Sequence, residues 1–388
     1  MDGGGGLSVT MIEGLTGFPA DAWDACADAA GGPRHPFVRH AFLQSLEEAG
    51  CVSRRAGWTP RHLIARDAAG GVVGALPLYE KAHSYGEYVF DHSWADALHR
   101  AGGRYYPKLQ TAVPFTPVPG PRLLAASSSV REALAAGAVA LAEQTRASSW
   151  HATFTTAQDQ ASLTGLGFLP RTGVQFHWAN AGYGSFEDFL GALSSGKRKT
   201  IRRERRDALA GRTIRRLRGA AITEADWDFF FACYQDTGTR KWGSPYLNRS
   251  FFSLIGERMG DELILLIAEE AGRPIASALN VLGGDCLYGR YWGRVADAPF
   301  LHFELCYYQA IDIAIELGLP RVEAGAQGEH KLARGYAPVA TTSAHWMAHP
   351  GLQEAVARYL AAERPAIADE IELLDGYTPF RKSDQDPS

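Results

Sequence analysis

The same phrase occurs twice in this chain, and that recurrence restricts the folds available to it more than any other feature. Gly167-Phe168-Leu169-Pro170 is followed, seven residues after the proline, by His177-Trp178, and Gly335-Tyr336-Ala337-Pro338 is followed at the same spacing by His345-Trp346. Upstream, Ile64 to Leu76 echoes Ile267 to Leu279. Self-similarity on this scale marks one structural unit used twice. A chain of 388 residues accommodates two such units, with boundaries expected at 1–180 and 181–388. A duplicated domain leaves a cleft between its copies in which an active site can sit.

Bulk properties exclude several classes. With 46% hydrophobic and 21% charged residues, the chain has the composition of a globular protein rather than a disordered one. No apolar run reaches the roughly 18–20 residues needed to span a bilayer, so no membrane insertion is expected. Met1-Asp2 and four glycines lack the basic and apolar regions of a secretion signal. The five cysteines are scattered, without CxxC spacing, which suggests a reducing compartment, the cytoplasm by default, and no metal site. HExxH is absent, as is the GxSxG elbow of a serine hydrolase.

Within each copy the order of elements is readable. The first shows a short amphipathic helix over 37–48, then a hairpin from His62–Arg66 and Val72–Tyr79, turning through Ala-Ala-Gly-Gly. A strand is expected over Val89–Trp94 and an ordered loop or edge strand over the proline-rich stretch 105–123. A helix over 127–146, a buried strand over 150–155, a short helix and a last strand over 174–178 complete this copy. The second opens on a helix capped by Ser185, followed by a basic helix. Helices over 226–234 and 249–258, a hairpin over 263–282, a strand over 286–294, a helix over 300–317 and a strand over 322–325 follow. Hairpins followed by helix, strand, helix and strand give an α+β class, with mixed, mostly antiparallel sheets flanked by helices. This is also the order of the GNAT acyltransferase fold.

Charge is concentrated. Lys197 to Arg218 holds eleven Lys and Arg against two acids in a chain whose net charge is only −4. Either this is a solvated charged face, or it meets an external polyanion whose phosphates would be gripped without sequence preference. No aromatic residue is interleaved there, so base stacking on this helix is not expected. Gly191 to Arg198 matches GxxxxGK, but Arg stands where a phosphate loop needs Ser or Thr, and a helix precedes it instead of a strand.

A second dense stretch runs from Glu323 through Gln327, Glu329, His330 and Lys331 to Arg334. Polar residues at the end of a core strand are a normal place for a site, although a surface loop of internal salt bridges has the same composition. Lys331 and Arg334 can hold one anion together, and Glu329 or His330 can accept a proton. In the first copy Asp91, His92, Trp94, Tyr106 and Lys108 either line a pocket or form a satisfied strand end.

Three stretches carry a resemblance to a known family. Ser195-Gly-Lys-Arg-Lys-Thr-Ile-Arg-Arg-Glu-Arg-Arg resembles the basic helix of Fem-type aminoacyltransferases. The runs from Tyr106 to Leu123 and from Phe303 to Lys331 resemble a Fem-like proteobacterial branch of N-acyltransferases. The resemblance covers nearly the whole chain and implies two fused GNAT-like units. It further implies an aminoacyl group moved from aminoacyl-tRNA, or another acyl donor, to an amine of a peptidoglycan-precursor-like or peptide acceptor. In that family a lysine after the last core strand assists the reaction, and Lys331 occupies that position. Lys197, Arg198, Arg202 and Arg205 would then bind substrate phosphates, with Gln309, Glu323, Gln327 and the first-copy set as further substrate contacts. Glu304, Glu329 or His330 would take the amine's proton, while Lys331 and Arg334 face the oxyanion or a terminal phosphate. No cofactor, metal or DNA is expected. The helical arm of some family members has no counterpart, so tRNA would be held by the globular body. Two readings compete: a CoA-dependent acyltransferase, for which the Q/R-x-x-G-x-G/A loop is lacking, and a non-catalytic module that binds muropeptides or RNA.

Overall fold

The computed structural model describes residues 6–240, 245–325 and 328–381, without the side chains of residues 238–240 and 329. In chain order its strands are β1 (Ser8–Ile12), β2 (Trp58–Pro60), β3 (His62–Arg66), β4 (Val72–Leu76), β5 (Tyr79–Lys81), β6 (Lys108–Thr111), β7 (Leu124–Ala125) and β8 (Ser149–Thr155). They continue with β9 (Leu169–Ala179), β10 (Arg212–Arg218), β11 (Leu263–Glu270), β12 (Arg273–Leu282), β13 (Cys286–Arg294), β14 (Arg321–Glu323) and β15 (Ala337–Met347). The helices are α1 (Ala20–Ala29), α2 (His40–Glu48), α3 (His92–Arg100), α4 (Ser128–Thr145), α5 (Ala157–Gly165), α6 (Phe186–Ala192), α7 (Ser195–Leu209) and α8 (Glu224–Arg240). The last four are α9 (Arg249–Met259), α10 (Leu301–Phe303), α11 (Gln309–Glu316) and α12 (Pro350–Asp375), with a π-helical stretch, Glu304–Tyr308, joining α10 to α11.

Two compact units result, and they are interleaved in sequence. One holds residues 1–173 and 340–368, the other 174–339 and 369–388. The contiguous halves 1–180 and 181–388 therefore differ from these units at the closing strands. Within the first unit, β15 from the end of the chain pairs antiparallel with β8, His345 opposite His151. Within the second, β9 from the first repeat pairs antiparallel with β14, His177 opposite Glu323. The repeated His-Trp phrase thus does the same job in each sheet, its histidine set against the core strand of a unit built mainly from the other repeat.

The first unit has a four-stranded antiparallel sheet, β1-β3-β4-β7, and a run β15-β8-β6-β5-β2 in which β6 and β8 are parallel. Helix α4 starts at Ser127, whose hydroxyl accepts from the Val130 amide, and its small residues Ala135, Ala138 and Ala142 allow close packing on Leu63, Leu76 and Trp150. Where β6 and β8 part, the chain's own residues fill the gap: Gly120 N–H donates to the Phe154 carbonyl at 3.0 Å. Arg122, 1% exposed, donates through Nε to the Thr153 carbonyl at 2.9 Å. The strand expected over Val89–Trp94 is not one. Asp91 stands just before α3, whose Trp94 and Leu98 pack, one turn apart, on Leu352, Val356 and Leu360 of α12. A helix period, not a strand period, sets that burial.

The second unit carries the sheet β10-β11-β12-β13-β14-β9, antiparallel except for β13 with β14. β13 and β14 pair only at Cys286–Arg321, Leu287–Val322 and Tyr288–Glu323; beyond these, β13 continues against β12 alone. On one face of the sheet Phe176, Trp178, Leu266, Ala278, Leu287 and Val322 form a core with Leu305, Ile311 and Ala314 of the helix beginning at Leu301. The fold is α+β, with two GNAT-like units.

Candidate active site

Lys331 lies where the second unit's parallel strands part. It sits in a short turn of 3-10 helix, Glu329–Arg334, that follows β14, and it is 1% exposed. Its Nζ donates to the Gly325 carbonyl at 2.8 Å, just past the end of β14. Burial, reinforced by the nearby Arg290 guanidinium, pulls its pKa down from 10.5 to about 7. A lysine so placed exchanges its proton near neutral pH, which an exposed lysine does not.

The neighbours named from sequence are drawn together here, each held by a specific partner. Arg334 Nη2 donates to the Glu204 carboxylate at 3.0 and 3.1 Å, and the guanidinium lies 3.4 Å from the centre of the Phe303 ring. Glu304, 0% exposed, accepts from Arg205 at 3.0 and 3.1 Å and from Gln309 Nε2 at 2.7 Å. Arg205 also reaches Asp312, and Gln309 accepts from Arg216. These contacts bolt α7 onto the helix beginning at Leu301 and leave Glu304 and Arg334 paired inside the fold. His330 is exposed, its ring hydrogen-bonded to the Tyr307 hydroxyl at 2.8 Å. The Glu329 backbone belongs to the turn, but its side chain, like all of Gln327, lies outside the described residues.

Glu323, at the end of β14, is 4% exposed. Arg321 lies at 3.4 Å and His177 at 4.0 Å, but among the described residues Oε2 accepts no hydrogen bond, and burial raises the carboxyl pKa to about 7. His177 is pushed the other way, to about 3, by burial together with the charges of Arg321 and Lys331. The sequence marks His177 only as part of the repeated phrase, and neither it nor the buried Asn280 on β12 stands among the candidate site residues read from sequence. A lone amide in the apolar run Ile275–Leu282 was the available signal for Asn280.

The basic helix separates into two sets of side chains. Arg205 turns inward, and Arg212, Arg215 and Arg216 of β10 and its approach are ion-paired to Glu270, to Glu269 and Asp226, and to Glu316. Arg202 pairs with Glu187, and Arg206 with its neighbour Asp207. Lys197, Arg198, Lys199 and Arg203 have no ion pair with a described residue. Arg198, Lys199, Arg202, Arg203 and Arg206 line a surface depression of about 430 Å³ with Ser195 and Thr200. Unneutralised cations in the first turns of a helix oppose its dipole and cost stability, so their gathering at this end suits an anion supplied from outside. Aromatic rings from other elements stand beside this helix: Phe186 lies 4.2 Å from the Arg205 guanidinium, and Phe303 packs on Arg334, the partner of Glu204.

The first-copy candidates lie in the first unit. Lys108, fully buried, donates to Ser84 at 2.8 Å, to Glu87 at 2.7 Å and to Asp91. Burial works against the charge on Asp91, but the Lys108 ammonium outweighs it and holds that carboxyl below its usual range. Tyr105 donates to Asp91 at 2.7 Å and contacts His151, which is bonded in turn to His345. Trp94 packs edge-on against His345, Tyr106 bonds Ser84 at 2.9 Å, and His92 is exposed. Asp91, Trp94 and Lys108 thus belong to one buried polar cluster.

Among the described residues no group of His, Cys, Asp and Glu is arranged to hold a metal, and no helix is long and apolar enough to cross a membrane. Solved structures with a similar fold include FemX, at 12% identity and a TM-score of 0.54, covering 87% of this chain and 98% of that one. Another is a conserved protein of unknown function from Bacteroides thetaiotaomicron, at 10% identity and a TM-score of 0.53, covering 88% of this chain and all of the other. A tandem GNAT protein from the clavulanic acid biosynthesis pathway aligns at 12% identity over 89% and 99% of the two chains, with a TM-score of 0.47. A search of curated proteins finds no match. A family model described as peptidoglycan biosynthesis/recognition matches residues 14–382. By that match over nearly its whole length, the chain belongs to the FemAB-like family.

Proposed function

We propose that this protein is an N-acyltransferase that moves an aminoacyl group from aminoacyl-tRNA to an amine of a peptidoglycan-precursor-like or peptide acceptor. One observation carries the reading: the buried Lys331, its ammonium weakened to a pKa of about 7, lies at parted strands in a turn tied to the basic helix through Arg334 and Glu204. The amine nitrogen attacks the ester carbonyl, and the C–O double bond becomes a single bond to an oxyanion. Lys331 donates to that oxyanion. His330, exposed one residue away, accepts the amine's proton. Collapse re-forms the carbonyl and breaks the ester bond, and the ribose oxygen takes a proton as it leaves. An aminoacyl ester is already activated, so positioning supplies much of the rate. Phosphates of the donor lie on Lys197, Arg198, Lys199 and Arg203.

Radiolabelled aminoacyl-tRNA incubated with cell-wall precursors tests this. Label should pass to the acceptor, and Lys331→Ala should slow the transfer by roughly a hundredfold or more. Label that stays on tRNA across a broad acceptor set, together with micromolar binding of CoA, would shift the donor to a thioester and refute the proposal.

A further inference from the structure

We infer that the side-chain amide of Asn280 donates a hydrogen bond to the carbonyl oxygen of an acyl group seated where β13 and β14 part. The role rests on the transferase reading above and adds a second donor to the one assigned to Lys331.

Asn280 lies in the central strand β12, between Leu279 and Val281, and is 1% exposed. Among the described residues its Nδ2 has no hydrogen-bond partner. Such a group loses water on folding and gains nothing in return, so its retention in an apolar strand calls for a function. Ser277 on the same strand shows the usual solution, its hydroxyl donating to the Leu266 carbonyl at 2.8 Å. The register of β12 against β13 shifts between Leu279 and Asn280, where β13 carries one extra residue, Arg290, so that β13 bends while the alternation of β12 runs on.

That bulge sets Asn280 opposite Gly289, the first β13 residue beyond its pairing with β14. Gly289 has no side chain to fill the space. A Cβ there would stand 3.5 Å from Asn280 Oδ1, 3.6 Å from the Glu323 carbonyl and 3.7 Å from Ala324 Cα. The amide therefore borders the chain just as it leaves β14. Lys331 Nζ reaches the Gly325 carbonyl, the next residue of that run, and spends one of its three donors there. A neutral amide and a cationic ammonium from different elements thus lie beside the three residues 323–325.

An acyl carbonyl directed into this gap would meet both. As the amine adds, the carbonyl's π electrons move onto oxygen, and the Asn280 N–H bond to it shortens and strengthens. No proton moves to or from the amide. Its contribution is therefore independent of pH, unlike that of Lys331.

Two substitutions test the assignment in the full-length protein, by thermal melting and by transfer kinetics. Asn280→Leu removes an unsatisfied donor, so the melting temperature should rise by roughly 2–4 °C. The same variant should lose about a hundredfold in kcat with KM little changed. Asn280→Asp keeps the shape but replaces the donor with an acceptor, and it should lose at least as much. A lower melting temperature for Asn280→Leu would overturn the inference by revealing an internal partner for the amide. An unchanged kcat in both variants, with Lys331→Ala inactive, would overturn it while leaving the transferase reading intact. Absence of transfer by the wild-type protein would overturn both.

Discussion

Replacing Lys331 by Met turns its buried ammonium into a thermodynamic measurement. The side chain is 1% exposed, and burial brings its pKa from 10.5 to about 7. Between those values the unfolded chain binds a proton that the folded chain releases, so wild-type stability rises with pH by about 1.4 kcal/mol per unit. Above pH 10.5 the lysine is neutral in both states and costs nothing. Below pH 7 it is protonated in both, and the penalty levels off at about 5 kcal/mol. Met fills similar space without a charge and lacks this dependence. The advantage of Lys331→Met over wild type should therefore be greatest at pH 6–7 and shrink by about 2.5 kcal/mol on going to pH 9. Urea unfolding of both proteins at pH 6, 7, 8 and 9 gives the difference directly, and contributions from other titrating groups cancel. Parallel stability curves over this range would refute the argument, because they would mean that an internal partner keeps the ammonium charged and that Lys331 has no accessible neutral form.

Two further outcomes follow from the second unit. Replacing Lys197, Lys199 and Arg203 together by Ala should lower the slope of log affinity against log salt for single-stranded RNA by about 2, at roughly 0.7 per lost phosphate contact; an unchanged slope would place the RNA elsewhere. Arg205→Ala strands the buried Glu304 carboxylate and should destabilise the protein by about 3 kcal/mol in chemical denaturation, whereas removing the exposed Arg206 should cost under about 0.5 kcal/mol.

Local signals were strong wherever a single element decides the outcome. The hairpin of β11 and β12, the Ser127 and Ser185 caps, and the helix starting at Leu301 all follow from apolar period and cap chemistry within short windows. The same reading fails at 89–94, where a short apolar start ending in Asp-His-Ser-Trp reads as a strand while the burial is helical. It gave no hint of α12, whose apolar residues Leu352, Val356 and Leu360 face elements some 250 residues away in sequence. For the site, the density of chemistry around Lys331 was visible, but the fate of each group was not. Whether a carboxylate is free or clamped depends on partners such as Arg205 and Glu204, about 100 or more residues distant. No ring lies within the basic helix, and the rings beside it, Phe186 on Arg205 among them, come from other elements. Asn280 escaped notice because its significance lies in a missing partner, which only the packed strand reveals.

Because β9 completes the sheet of the second unit and β15 that of the first, a gene cut after residue 180 encodes no autonomous piece. Each fragment would carry a closing strand it cannot use and lack the one it requires. Expressed alone, each should behave as an incompletely folded chain prone to edge-to-edge association, while the two produced together should reconstitute each other. Duplication followed by this reciprocal loan of strands makes the two repeats obligate partners, so that neither copy is free to be lost or shuffled into another gene by itself.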